Sequence, residues 1–145
     1  MCDIAYLAGI IDGEGHFGVT SQGTKGAPGI HLAIGNNSED LIDWLASNWP
    51  GRKGKGSTVW HSFNFYRHSL REVLPEVLPH LIIKKTQAAL ALYIISHQYE
   101  TRDVQIECTK AAIQIIEEQR KLHNRKKKPK AYYRLVERLA WLMEE

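Results

Sequence analysis

The residues best placed to do chemistry lie near the start of the chain. Asp12 and Glu14 close a segment, Asp3 to about Gly13, that reads as a helix with Asp3 as N-cap and Gly13 and Gly15 as its end. Anions at a helix C-terminus oppose the macrodipole, so two acids there call for compensation. Ala5, Gly9 and Gly13 are spaced four apart and share one face. That face has almost no side chain. Glycine inside a helix costs about 1 kcal/mol relative to alanine, and the close approach of a second helix would offset it. Acids set against the dipole, beside a bare packing face, suggest a bound cation. Leu7, Ile10 and Ile11 are left to pack into the domain.

Other chemistries have weaker support. The seven histidines include no i,i+4 pair, so no zinc site is expected. His61 and Asn64 have no further ligand spacing behind them. Cys2 and Cys108 are too few for a disulfide framework, and a reducing, intracellular compartment is expected. Cys108 sits among apolar residues and reads as core. No run of 18 apolar residues occurs, and the opening MCDIAYLAGIIDGEG lacks a basic n-region, so neither a spanning helix nor a secretory leader is expected.

The elements that must position Asp12 and Glu14 follow from periodicity. The chain has 145 residues, the size of one domain, and 43% are apolar, enough for a core. Residues 16–22 alternate as a half-buried strand, residues 23–28 turn, and residues 30–35 alternate again. Asn36, Asn37 and Ser38 offer caps for a short helix, Glu39 to about Asn48, with Leu41, Ile42 and Leu45 inward. Residues 52–67 read as a second hairpin turning near Gly56. Helices follow over about 68–78, 84–98, 102–122 and 130–143. The fold class is α+β, in the order αββαββα, with an antiparallel sheet, helices on one face and extra C-terminal helices.

Charge is uneven along this order. Residues 1–50 hold one base and six acids; residues 51–100 hold seven bases and three acids; residues 101–145 hold eleven and seven. The run Arg120 to Lys130 alone has seven bases. A polyanion partner fits this asymmetry. If Phe17 and Val19 face the core, then His16, Gly18, Thr20 and Gln22 face the open side of the sheet, as do His31, Ala33 and Gly35 in the second strand. Lys25, Arg52, Lys53 and Lys55 are candidates for contacts to bases or phosphates. In the fourth strand, Val59, His61, Phe63 and Phe65 compete with Trp60, Ser62, Asn64 and Tyr66 for the core face, and the pattern does not choose.

The segment Leu7-Ala8-Gly9-Ile10-Ile11-Asp12-Gly13-Glu14-Gly15 resembles the LAGLIDADG motif of homing endonucleases. It departs only by conservative swaps and an alanine-to-glycine change. The resemblance implies one LAGLIDADG endonuclease domain over 1–145, with a core over about 1–98 under a saddle-shaped sheet and a helical extension over about 99–145. Ile34–Leu41 resembles the family's strand-end segment, which implies that Asn36, or Asn37 in the alternative register, supports the active site. Leu78–Lys85 resembles its Pro-x-Leu-x-x-Lys segment, which implies a catalytic Lys84, with Lys85 the rival. Glu14 stands where the family more often has aspartate. The resemblance implies Mg²⁺ bound by the Glu14 carboxylate and the Gly13 carbonyl.

A single motif copy implies a homodimer paired along Ala5, Gly9, Asp12 and Gly13. It would cut both strands of a long, pseudo-palindromic double-stranded DNA target. The same scaffold also serves RNA maturases that bind intron RNA, and DNA-binding regulators that no longer cleave.

Overall fold

The computed structural model describes residues 3–21, 23, 26–55, 61–97 and 100–144. The chain is α+β. Helix α1 (Asp3–Glu14) leads into strands β1 (Gly15–Thr20) and β2 (Gly29–Asn36), helix α2 (Glu39–Asn48), strands β3 (Arg52–Lys55) and β4 (His61–Phe65), and helix α3 (Arg67–Val77). A 3₁₀ turn, Leu78–His80, precedes α4 (Lys85–His97), α5 (Arg102–Leu122) and α6 (Lys130–Met143). The four strands form one sheet in the order β1-β2-β4-β3. No helix among the described residues is long and apolar enough to cross a membrane.

Two compact units emerge, residues 1–16 with 31–86, and residues 17–30 with 87–145. In the first unit, β4 pairs antiparallel with β2 and with β3. Phe63 opposes Ile34 and Phe65 opposes Leu32. Directly opposed residues share a face, so these four side chains form one apolar surface. All four are fully buried, and the Phe63 and Phe65 rings meet edge to face at 5.0 Å. This settles the face of β4: Phe63 and Phe65 point to the core, Ser62 and Asn64 away from it. Val59 and Trp60 lie outside the described residues.

Helices α2 and α3 pack on β4, and α1 packs on α3 and the 3₁₀ turn. Leu7 and Ile11 of α1, Leu45 of α2, and Leu70 and Leu74 of α3 are fully buried, with Ile42 nearly so. Ser38 caps α2, its Oγ accepting from the Leu41 amide at 3.3 Å. At Gly51 a Cβ would come within 2.5 Å of the Phe63 ring, so the chain turns into β3 only with glycine there.

In the second unit α5 packs on α6. Arg138 is 3% exposed, yet its Nε donates to Thr109 Oγ1 (3.3 Å) and its Nη2 to Gln105 Oε1 (3.1 Å). Cys108 is fully buried, as its neighbours suggest, and burial pushes its thiol pKa up to about 11. Gln119 of α5 donates to the Phe17 carbonyl at 3.4 Å.

Helix boundaries fall within a residue or two of the periodicity. One small difference matters. The helix read from residue 84 starts at Lys85, which leaves Lys84 outside it with a side chain free to turn back.

Candidate active site

The end of α1 poses an electrostatic problem. The last carbonyls of a helix lack intrahelical donors, and here two acids add negative charge to the negative dipole end. The structure resolves it with a pair of exchanged caps. Lys84 Nζ donates to the carbonyls of Ile11 and Asp12, both at 3.0 Å. The Asp12 carboxylate turns the other way and accepts from the amides of Ile82 (2.8 Å), Ile83 (3.2 Å) and Lys84 (3.0 Å), just ahead of α4. A cation therefore caps the C-terminus of α1, and an anion binds the amides that lead into α4, on the side where its dipole is positive. Lys84 is only 4% exposed, and burial pulls its pKa below the ordinary lysine value against the opposing pull of Asp12 and then Glu14.

Glu14 stays exposed. Its Oε2 accepts from Asn36 Nδ2 at 2.8 Å. The Asn36 Oδ1 in turn accepts from the Ser38 amide at 2.7 Å, and Ser38 caps α2. The acid is thus aimed by a strand end that is itself locked to a helix start. Asn36 therefore meets both the acid and the N-cap residue of α2. Asn37 and Lys85 are exposed. The residues brought to the acids are Asn36 and Lys84.

The donors at this point are hard oxygens, the Glu14 carboxylate and the carbonyl of Gly13, both residues exposed. No cluster of three or more His, Cys, Asp or Glu residues occurs among the described residues. Such a set suits a divalent cation that keeps several waters and takes further oxygens from a phosphate substrate, as Mg²⁺ does.

Ala5, Gly9 and Gly13 are all exposed, and a Cβ added at Gly9 or Gly13 would meet nothing within 4 Å. Tight packing within the chain is therefore not why these positions are small. Gly15 differs: a Cβ there would sit 2.7 Å from the Ile11 carbonyl oxygen. Beside the bare face, Tyr6 is 59%, Ile82 86% and Ile83 57% exposed.

On the open side of the sheet, His16 and Thr20 are exposed and His31 and Ala33 half-buried, in keeping with their parity. Three expectations need correction. Gly18 shares that parity but is buried. Lys53 opposes Phe63 and Lys55 opposes His61, so both stand on the helix side of the sheet. Lys53 Nζ pairs there with Asp43 of α2 at 2.9 Å, which holds its pKa above the ordinary value. With Glu39 and His61 they line a cleft of about 280 Å³. Alternation had not assigned β3 a face, and only the register does. Arg52, opposite Asn64, remains on the open side. Gln22 and Lys25 lie outside the described residues. Tyr66, exposed at the end of β4, shares the face of Arg52, and the ambiguous alternation of β4 had hidden it.

No protein-family model matches the sequence. No curated protein matches it. Solved structures do. The homing endonuclease I-CvuI, crystallised with the I-CreI target in 2 mM Mg and with the DNA uncleaved, superposes with a TM-score of 0.75 at 24% identity, over 99% of this chain and 96% of that one. The chain has the LAGLIDADG homing endonuclease fold. The archaeal intron-encoded homing endonuclease I-Vdi141I, complexed with DNA, gives 0.73 at 15% identity over 97% and 94%. The LAGLIDADG meganuclease I-AabMI, bound to uncleaved DNA, gives 0.63 at 13% identity; this chain covers 56% of its length. Within the LAGLIDADG fold of this chain, the motif residues divide cleanly: Leu7, Ala8 and Ile11 build the core, Asp12 ties α1 to residues 82–84, and Glu14 faces solvent.

Proposed function

We propose that this chain is a site-specific homing endonuclease that makes double-strand breaks in DNA, acting as a homodimer on a long, pseudo-palindromic target and using Mg²⁺. The observation that carries this reading is an exposed carboxylate, Glu14, fixed by Asn36 and flanked by the buried ammonium of Lys84. Glu14 and the Gly13 carbonyl would hold the metal. A divalent ion there would supply Lewis-acid activation of the phosphate and of the attacking water. Asn36 keeps the carboxylate aimed and deprives it of rotamer freedom. Lys84 places a positive charge beside the site, where negative charge builds up on a phosphate under attack. Its hydrogen bonds go to two main-chain carbonyls, while the Asp12 and Glu14 carboxylates act on it through space.

The pairing part rests on the bare α1 face. A helix surface open over Gly9 and Gly13, rimmed by Tyr6, Ile82 and Ile83, suits a second copy of itself across a two-fold axis. A chain that fills 56% of a longer DNA-bound meganuclease agrees with two such units acting together. Two Glu14 carboxylates would then approach each other and need cations between them.

The test begins by selecting a bound target from randomised duplexes and then measuring its cleavage in Mg²⁺. Wild-type protein should cut both strands, and Glu14→Gln should bind the same target while cutting at least about 10³-fold more slowly. Binding without cleavage in Mg²⁺ or Mn²⁺ would favour a regulator. Preference for intron RNA over every duplex would favour a maturase. Undiminished cutting by Glu14→Gln would remove Glu14 from the chemistry.

A further inference from the structure

Three strands contribute to one cluster on the open face of the sheet. Leu32 opposes Phe65, which brings His31 of β2 opposite Tyr66 at the end of β4. Their ring centroids are 6.2 Å apart with planes 30° from parallel. Arg52 of β3 opposes Asn64, and its guanidinium carbon lies 5.9 Å from the centroid of the Tyr66 ring, within cation–π range. The Tyr66 side chain is 48% exposed and Arg52 is exposed, so ring and guanidinium both reach solvent.

The backbone of Tyr66 is fixed. It is the N-cap of α3. Its amide donates to Ser69 Oγ at 3.2 Å, and its carbonyl accepts from the Ser69 hydroxyl at 3.0 Å and the Leu70 amide at 2.9 Å. A tyrosine on such a backbone is a rigid surface with only two side-chain torsions. Burial holds His31 below its ordinary pKa, which favours the uncharged imidazole beside the guanidinium.

A free surface arginine must be ordered when it binds, which costs affinity. One already resting on an aromatic face loses less. Its planar fork matches the O6 and N7 acceptors that guanine presents in the major groove. We infer that Tyr66 is a positioning residue for sequence recognition: its ring, flanked by His31, holds Arg52 for bidentate contact with one guanine of the DNA target. This rests on the DNA-cleaving function proposed above. Lys53 and Lys55, turned to the other side of the sheet, do not compete for that base.

The test is target selection from a randomised duplex pool in Ca²⁺, with full-length protein. Wild type should select guanine at one position, or at one symmetry-related pair. Arg52→Lys keeps the charge and loses the fork; it should flatten that preference and weaken binding of the selected target roughly 10- to 100-fold. Tyr66→Ala should weaken the preference at the same position, and Tyr66→Phe, which keeps the ring, should restore it. A merely structural role for Tyr66 would lower affinity without changing the preference at the Arg52 position. The inference is overturned if Arg52→Lys leaves every base preference intact, or if Tyr66→Ala changes a different position. Wild-type protein that selects no sequence at all would instead sink the DNA reading on which it rests.

Discussion

Two buried cations, Lys84 and Arg138, are equally hidden from solvent, at 4% and 3% exposure, and are held by different kinds of partner. Arg138 joins α6 to α5 through the Thr109 hydroxyl and the Gln105 amide oxygen, and Thr109 in turn donates to the Gln105 carbonyl at 2.8 Å. The planar fork suits a fixed polar network, and the network locks two helices together. Lys84 instead directs its ammonium at two backbone carbonyls, the nearer of them two residues before the exposed Glu14. An ammonium has three donors, so one remains beyond those two carbonyls. Burial alone therefore does not mark function. What sets Lys84 apart is that its charge lies at the helix end that carries Asp12 and Glu14.

The contrast breaks most visibly if the two residues are exchanged for methionine. Lys84→Met should cut cleavage by about 10²- to 10³-fold while shifting the melting temperature by only a few degrees. Arg138→Met should cost about 3 kcal/mol of unfolding free energy and leave the rate per folded molecule unchanged. Urea titrations paired with single-turnover kinetics separate the two. Equal losses of stability with no loss of rate at Lys84 would reduce it to a cap.

The glycines allow a second contrast within one segment. Gly15→Ala should destabilise the chain by about 1–3 kcal/mol, because the new methyl meets the Ile11 carbonyl. Gly9→Leu points into open space and should leave folding intact while abolishing the proposed dimer, read by light scattering. A dimer that persists in Gly9→Leu places the pairing surface elsewhere. Smaller still is Asn36→Ala, which frees Glu14; apparent Mg²⁺ affinity in the cleavage reaction should fall about 10-fold.

The smallest effect concerns the second unit. With the Cys108 thiol at about 11 when folded, an unfolded chain loses that proton first as pH rises. Stability should therefore decline between about pH 9 and pH 11, and be insensitive to this thiol below that window. Urea midpoints at pH 8 and pH 10.5, repeated with Cys108→Ala, isolate the contribution. No difference between the two proteins would mean that the thiol is not buried in solution.

Much of the molecule follows from local pattern. The 3.6-residue periodicity of Leu7 and Ile11, the alternation of Ile30, Leu32 and Ile34, and the Ser38 cap suffice for the element order, because each signal is carried by residues near one another in sequence. The acids of α1 and the bare face formed by Ala5, Gly9 and Gly13 were legible for the same reason. Other features were set by partners far away in the chain. Asp12 meets the amides of residues 82–84 across about seventy positions, Asn36 reaches Glu14 across twenty-two, and the sides taken by Lys53, Lys55 and Tyr66 depend on strand register. A one-residue slip would reverse every side chain of a strand, and β3, with three cations and a glycine, has no apolar pattern to set it. Short-range chemistry chose the elements; only the pairing of distant strands and helix ends decided which charges meet and which stand apart.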